Sequence, residues 1–181
     1  MRTENGITLI ELLVTLALLS ILAGIALPAF GELGQGMATR SARSLMTVDL
    51  AHARASAVMR GGDVVACPSP DAVQCSDSVA WQHGWIVFAD RNRNRRADAG
   101  EPILSIGQAQ KPGLAVLSSG GRRSLRFRAD GTSDGSNVTL TFCDRRGAAK
   151  ASTLVLNNSG RLRSGVPSAA QAAAACAAVG S

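Results

Sequence analysis

The first part of the chain carries an apolar run long enough to cross a membrane. From Leu12 to Phe30, nineteen consecutive residues are uncharged and mostly apolar, which corresponds to about 28 Å of α-helix at 1.5 Å per residue. The carboxylate of Glu11 lies directly before this run, and a short charged leader ends at Gly6. The pattern predicts a membrane helix that begins near residue 7.

Beyond the membrane segment, apolar residues recur at helical spacing. The stripe contains Leu45, Val48, Ala51 or His52, Ala55 and Met59, and it predicts the helix face that packs on a sheet. The helix is expected to run from residue 7 to about residue 60. Pro28 and four glycines should loosen its middle (Gly24, Gly31, Gly34 and Gly36). Four arginines fall off the stripe and should be solvated: Arg40, Arg43, Arg54 and Arg60.

After Gly62, short apolar runs alternate with turn residues, a pattern typical of an antiparallel sheet. The predicted strands are Asp63–Cys67, Gly84–Ala89, Pro102–Ile106, Leu114–Ser118, Ser124–Arg128, Val138–Cys143, Thr153–Leu156 and Arg161–Arg163. Alternation is clearest in the fifth strand, which should place Leu125 and Phe127 inside and Arg126 and Arg128 outside. Residues 167–175 form an Ala-rich tail. The fold class is therefore α+β: a long N-terminal helix, partly transmembrane, packed on one antiparallel β-sheet domain.

Charge is distributed unevenly along the chain. Residues 1–119 carry ten basic and ten acidic side chains, whereas residues 120–181 carry nine basic and three acidic ones. The formal net charge of +6 therefore belongs to the last third. A basic surface indicates a polyanionic partner, either nucleic acid or an anionic membrane face. The alternative is a solvated basic face that only aids solubility.

The four cysteines are an even number in a chain whose bulk should cross the membrane, so disulfides are expected. Sequence proximity favours Cys67–Cys75 and Cys143–Cys176, while two other connectivities stay open. A zinc site is not favoured, because neither His52 nor His83 lies near a cysteine pair. No metal or other cofactor is predicted. The sequence also has no spacing that supports catalysis, so an enzyme is not expected.

The segment from Gly6 to Phe30, including Glu11 and Pro28, resembles the processing site of type IV prepilins and pseudopilins. The resemblance implies that a prepilin peptidase cuts between Gly6 and Ile7 and methylates the new N-terminus on Ile7, where the family usually has Phe. A carboxylate inside a bilayer costs about 2.5–3.5 kcal/mol and needs a partner. The resemblance gives Glu11 that partner, the amino group of a neighbouring subunit, during assembly. The alternative is a signal anchor with a stray Glu.

The resemblance also implies a domain organisation and a location. Residues 1–6 are the leader peptide, 7–30 the transmembrane and filament-core helix, 31–60 an amphipathic helix, and 61–181 a β-sheet domain with a disulfide-tied tail. The chain is expected as a single-pass protein of the inner membrane before assembly. Afterwards it would belong to a periplasmic or cell-surface pilus. Its partners would be other pilins in a helical filament, the prepilin peptidase and the inner membrane.

Residues 90–101 place oxygen side chains at spacings similar to those of a calcium loop. Arg95 occupies the position where glycine is expected, and four arginines would repel a divalent cation, so a polar hairpin connection is favoured. The surrounding sequence, from Trp81 to Phe88 and on to Gly100-Glu101-Pro-Ile, resembles the GspH/FimT branch of pseudopilins and minor pilins. Trp85 and Phe88 are expected in the core.

The segment from Gly160 to Arg163 carries the main candidate chemistry. Arg161 and Arg163 are two residues apart on a predicted strand, so they should project to one side, roughly 7 Å apart, while Leu162 points into the core. Two guanidiniums at this spacing suit successive phosphates of a nucleic acid. This Gly-Arg-x-Arg resembles the DNA-binding motif of FimT-type minor pilins, which act in DNA uptake during natural transformation. The alternative is a surface strand with two solvated arginines.

Other basic residues of the last third should support this motif. They are Arg145, Arg146 and Lys150 beside Cys143, with Arg122 and Arg123 at the Gly120-Gly121 turn. The absence of Tyr argues against base stacking, so phosphate contact with duplex DNA, independent of sequence, is predicted. The resulting interpretation is a DNA-binding minor pilin of a type IV pilus. The competing hypotheses are a structural pseudopilin of a type II secretion system and a minor pilin that primes assembly and adhesion.

Overall fold

The computed structural model describes residues 8–133, 135 and 137–180, without the side chains of Pro28 and Ala29. The described residues form two α-helices, eight strands and a short 3₁₀ helix at Ala148–Lys150. Their bounds are α1 Leu9–Arg60, β1 Val64–Pro68, β2 Trp85–Ala89, β3 Ile103–Gly107, β4 Leu114–Ser118, β5 Leu125–Phe127, β6 Val138–Asp144, β7 Ser152–Leu156, β8 Leu162–Gly165 and α2 Ala169–Ala177.

Helix α1 is uninterrupted over its 52 residues. Its most apolar 18-residue window has a mean hydropathy of 2.5 and no buried residue, so it is long and apolar enough to cross a membrane. The expected loosening at Pro28 and the glycines is wrong at the level of secondary structure. A glycine in a helix costs about 1 kcal/mol relative to alanine but leaves the hydrogen-bond ladder continuous. The chain divides within α1 into two compact units, one ending at Gly34 and one beginning at Gln35.

The unit that begins at Gln35 contains two four-stranded antiparallel sheets in place of the single predicted sheet. Sheet A has the strand order β3-β2-β1-β5, and sheet B has the order β4-β6-β7-β8. Both sheets and α1 contribute to one hydrophobic core, in which Trp85, Phe127 and Phe142 are the bulkiest aromatic members beside Trp81. The other face of sheet A buries a smaller cluster that includes Phe88. The burial predicted for Trp85 and Phe88 is confirmed.

The predicted packing stripe on α1 is wrong, because the opposite residues of the helix face the core. Ala42, Met46, Leu50, Ala53 and Ala57 are at most 2% exposed. The stripe residues are exposed instead: Leu45, Val48, Ala51, His52, Ala55 and Met59. The small buried residues let the helix backbone approach the sheets closely.

A hydrogen-bonded carboxylate fixes the rotation of α1. Asp49 accepts hydrogen bonds from Nε1 of Trp85 at 2.8 Å and from Oγ of Ser105 at 2.6 Å. Both partners belong to sheet A, so the Asp49 face of the helix is turned toward that sheet. These partly buried hydrogen bonds, made to a charged group, help to offset the exposure of a few apolar residues elsewhere on the helix.

Most of the Ala-rich tail belongs to helix α2. Ser168 and Gln171 form a reciprocal capping box at the start of α2, and Ala172 and Ala175 are buried. The Cys143–Cys176 disulfide joins α2 to β6, with the two Cα atoms 5.1 Å apart. The second disulfide is Cys67–Cys75. Both are the pairings that sequence proximity favours.

Candidate nucleic-acid interface

The β7–β8 connection is a tight turn from residue 157 to residue 161. The carbonyl oxygen of Asn157 accepts the N–H of Gly160 at 2.9 Å, and the N–H of Asn157 donates to the carbonyl of Arg161 at 3.1 Å. The Asn157 side chain also accepts the N–H of Arg161 at 2.9 Å. Asn157 therefore fixes the backbone from which Arg161 projects. The sequence offered a signal for this role, because Asn favours turns by bonding its own following backbone.

Gly160 is required by both conformation and space. Its φ is +74°, and an added Cβ would collide with the carbonyl oxygen of Gly131. That same oxygen accepts a hydrogen bond from Nε of Arg54 at 2.8 Å. Arg54 is therefore half-buried, not solvated as expected, and it holds the segment beneath the turn. The glycine of the Gly-Arg-x-Arg motif lets two backbone segments approach closely.

Arg161 and Arg163 lie at the outer edge of sheet B. Arg163 is paired with Val155 across β7, and Leu162 is paired with Leu156 and packs against the core. Both arginines are exposed. Within the described part of the chain, neither guanidinium has a hydrogen-bond or ion-pair partner. Two unneutralised guanidiniums, one at the end of the β7–β8 turn and one on the edge strand, are available to an anionic ligand.

Arg145, Arg146 and Lys150 belong to the β6–β7 connection, at the end of sheet B opposite the β7–β8 turn. Five residues of β7 separate the two ends, which corresponds to about 17 Å. Arg145 and Lys150 are exposed, whereas Arg146 is half-buried. The basic residues of the last third are therefore spread along sheet B.

Arg146 is engaged in a structural ion pair. Its Nε and Nη2 lie 2.9 Å and 2.8 Å from the two carboxylate oxygens of Asp144, which also accepts a hydrogen bond from Thr39 of α1. Burial raises the pKa of Asp144, but the hydrogen bonds from Arg146 and Thr39 outweigh it and hold that pKa below its ordinary value. Arg146 also lies against Gly36, where a Cβ would be 2.7 Å from Nη1. Its charge is already neutralised, and it joins sheet B to α1.

Arg122 and Arg123 follow β4, at the same end of sheet B as the β7–β8 turn but beside the opposite edge strand. Nη1 of Arg123 lies 2.6 Å from Asp77, and both side chains are exposed. Arg126 lies on the face of β5 away from Leu125 and Phe127, as predicted, and it is paired with Val65 of β1. Its side chain is nevertheless only 16% exposed, because its guanidinium lies 3.5 Å from the carboxylate of Asp63.

The 90–101 loop uses its oxygen side chains to hold its own backbone. The two carboxylate oxygens of Asp90 accept the N–H groups of Asn94 and Arg95, at 3.1 Å and 3.0 Å. Hydrogen bonds from Asn92 and then Asn94 lower the pKa of Asp98. Among the described residues, no group of His, Cys, Asp and Glu side chains is arranged to hold a metal ion. The loop is a self-supporting polar hairpin connection.

Of the residues assigned to processing and assembly, Gly6 and Ile7 lie outside the described residues. Glu11 is described, in the first turn of α1. Its carboxylate accepts the N–H of Thr8 at 3.4 Å, and its own N–H donates to Oγ1 of Thr8 at 3.3 Å. This reciprocal pair has the geometry of a capping box. Glu11 therefore satisfies donors at the start of its own helix.

Two family models match the chain. The model described as Type II transport protein GspH matches residues 42–160, and the prokaryotic N-terminal methylation motif matches residues 1–27. The pilin-like protein PilA1 of Thermus thermophilus is 32% identical over 163 residues, covering 89% of this chain and 91% of the relative.

Solved structures give the same fold. Two crystal forms of the type IV minor pilin FimU of Pseudomonas aeruginosa match with TM-scores of 0.56 and 0.57 at 17% identity. The matches cover 76% of this chain and 98% and 93% of the FimU chains. At this identity the likeness concerns the fold alone. The N-terminal motif, the GspH match and the PilA1 relationship go further, and they show that the chain belongs to the GspH family of type IV minor pilins and pseudopilins.

Proposed function

We propose that this minor pilin binds duplex DNA without sequence preference and supports DNA uptake during natural transformation. The observation that carries the proposal is the pair of exposed guanidiniums at the edge of sheet B, Arg161 at the end of the β7–β8 turn and Arg163 on β8. Asn157 and Gly160 hold the turn that presents them. Lys and Arg contacts to phosphates supply essentially all of non-specific DNA affinity.

The remaining basic residues contribute unequally to this proposal. Arg145 and Lys150 are exposed at the far end of the same sheet, within reach of the same duplex. Arg122 is exposed beside the other edge strand, and Arg123 shares its charge with Asp77. Arg146 is the weakest contributor, because Asp144 holds its guanidinium in a bidentate pair.

The full chain, solubilised in an uncharged detergent, is titrated with a fluorescent duplex across a salt series. The double variant Arg161→Ala/Arg163→Ala is titrated in the same way for comparison. The variant should lose affinity, and the slope of log K against log salt should fall by about 2. Arg40→Ala/Lys111→Ala is the matched control, because it removes two exposed charges away from the β7–β8 turn and should lower the affinity much less than the Arg161/Arg163 variant.

The alternative function is structural, as a minor pseudopilin of a type II secretion system. The matching family model carries a type II transport description, which favours this alternative specifically. If the wild-type chain does not bind duplex DNA even at low salt, the basic surface serves solvation and the structural role is the better conclusion. If the control loses as much affinity as the Arg161/Arg163 variant, the site assignment is wrong.

A further inference from the structure

We propose that the arginines of the 90–101 loop form a second DNA-contacting surface, continuous with the β7–β8 turn. This inference rests on the proposed function and extends its interface beyond the C-terminal third. Four arginines lie within six residues and all are exposed: Arg91, Arg93, Arg95 and Arg96. The loop belongs to the part of the sequence whose charges cancel by count, so the charge count does not indicate a basic surface here.

The loop is basic in space because two of its three acidic residues, Asp90 and Glu101, face its own backbone. The third, Asp98, is exposed, accepts hydrogen bonds from the side chains of Asn92 and Asn94, and interacts electrostatically with Arg96. Asp90 is 1% exposed and accepts two N–H groups of the loop. Glu101 accepts the N–H groups of Arg91 and Asp98 at 2.7 Å and 3.2 Å. In the described residues, no carboxylate lies within ion-pair distance of the four guanidiniums. Asp90 and Glu101 therefore shape the loop, Asp98 offsets part of the charge of Arg96, and the four arginines against three carboxylates leave the loop basic.

The backbone of the loop is held in an unusual conformation. Arg93 and Arg95 have φ values of +62° and +61°, a region that side chains other than glycine seldom occupy. The hydrogen bonds to the Asp90 carboxylate sustain this conformation. A backbone that is already fixed reduces the conformational entropy that the loop loses when its arginines bind phosphate.

The loop and the β7–β8 turn lie at the same end of the globular unit. The N–H of Asp90 donates to the carbonyl of Asp63 at 3.0 Å, and Asp63 pairs with Arg126. The strand that carries Arg126 leads into the segment of residues 128–133. The N–H of Ser133 donates to the carbonyl of Asn158, in the turn, at 2.8 Å. A short path of contacts thus connects the two basic surfaces.

Two shallow cavities, each of about 430 Å³, lie along this path. One is lined by Arg60, Arg91 and Arg93 together with Gly61, Gly62 and the acidic residues Asp63 and Asp90. The other is lined by Arg93, Arg126 and Arg128 with Asp63 and Asp130. Arg93 lines both cavities. Asp63 is paired with Arg126, and Asp130 accepts hydrogen bonds from Thr132, so these carboxylates are already engaged.

Phosphate of duplex DNA is the ligand that fits this arrangement. Arginines on two elements at one end of the molecule suit a duplex, whose phosphates lie on a convex surface about 20 Å across, better than a single small anion. The fork of each guanidinium matches phosphate oxygens. The loop has no aromatic side chain for base stacking. Contact is therefore with the backbone of the duplex and independent of sequence.

The test is Arg91→Gln/Arg93→Gln in the full chain, measured as for the Arg161/Arg163 pair. Glutamine keeps a Cβ at the positive-φ position of Arg93, so the substitution adds no backbone strain. Affinity for a 30-bp duplex at moderate salt should fall roughly tenfold, and the salt slope should fall by about 2. Arg91→Lys/Arg93→Lys, which keeps the charge, should restore most of the binding.

The controls separate failure of this inference from failure of the proposed function. Arg40→Gln/Lys111→Gln removes the same formal charge from exposed positions away from the loop. If wild type binds, Arg161→Ala/Arg163→Ala weakens binding, and the loop variant equals this control, the inference is overturned while the function stands. If the wild-type chain does not bind the duplex, both the inference and the proposed function are wrong. A loop variant that loses binding to anionic lipid vesicles but not to DNA would also overturn it.

Discussion

At the scale of single residues, the candidate interface depends on residues beneath Arg161 and Arg163 that fix the turn and are not themselves assigned to contact DNA. Gly160 accepts the close approach of the Gly131 carbonyl, and Asn157 holds the backbone of Arg161 with its side-chain oxygen. Arg54 fixes the Gly131 carbonyl from below. Two arginines spaced by one residue are common in sequences, and the turn beneath them is what gives this pair a defined position.

Replacing Gly160 by Ala should destabilise the globular unit by about 2–4 kcal/mol. About 1–2 kcal/mol comes from placing a Cβ at positive φ, and the collision with Gly131 adds to it. Gly121→Ala is the matched control, because its φ is +67° with nothing within 4 Å of an added Cβ. It should cost only about 1 kcal/mol. Thermal unfolding followed by circular dichroism measures both, and equal losses would refute a steric role for Gly160.

At the scale of elements, α1 shows what a hydrophobic pattern can and cannot predict. The helix and its end at Arg60 follow from the apolar run and from Gly61-Gly62. The rotation of the helix does not, because apolar residues occur all around this segment and two stripes fit the same spacing. The buried stripe is rich in alanine and is selected by close packing and by the bonds of Asp49 to sheet A.

Leu50→Ala and Leu45→Ala form a matched pair for the rotation of α1. Leu50 is 0% exposed and Leu45 is 54% exposed. The first substitution should lower the free energy of unfolding by about 2–5 kcal/mol, and the second by less than about 0.5 kcal/mol. Urea unfolding of the full chain in detergent measures both, with the buried Trp81 and Trp85 as fluorescent probes. A larger loss for Leu45→Ala would favour the stripe first predicted.

The strands were predictable and the second helix was not. All eight predicted strands overlap an observed strand, because apolar runs bounded by turn residues are strong local signals. Their division into two sheets depends on pairing between distant segments, which local patterns do not encode. Helix α2 lacks apolar periodicity, although the Ser168–Gln171 capping box was a signal at its start. The position of Arg146 could not be predicted either, because it depends on a contact with Gly36 of α1, which is distant in sequence.

At the scale of the whole molecule, the positions of basic residues and disulfides in space differ from what their positions in the sequence indicate. The excess of basic residues belongs to the last third, yet the 90–101 loop adds exposed arginines at the end of the unit that carries Arg161. The disulfides hold segments on the outer faces of the two sheets: the 67–75 loop beside sheet A and α2 on sheet B. Both sheets are therefore covered on the side away from the common core.

Removing the Cys143–Cys176 bond should destabilise the molecule more than removing Cys67–Cys75. The bonds join residues 33 and 8 positions apart, and loop entropy assigns them about 3.7 and about 2.5 kcal/mol. Double alanine variants of each pair, compared by urea unfolding, test this order. The Cys143/Cys176 variant should also release α2 to proteolysis. A reversed order would mean that packing, and not loop closure, dominates.

The bonds that anchor α1 also decide how the globular unit carries mechanical load. A filament subunit pulled by its helix is loaded along the helix axis. Asp49 holds sheet A, while Thr39 holds sheet B through Asp144. Sliding α1 along its axis would break these anchors together, as in shear, whereas lifting it away would break them one after another. The unit thus resists force along the axis of α1 better than force that lifts the helix away from the sheets.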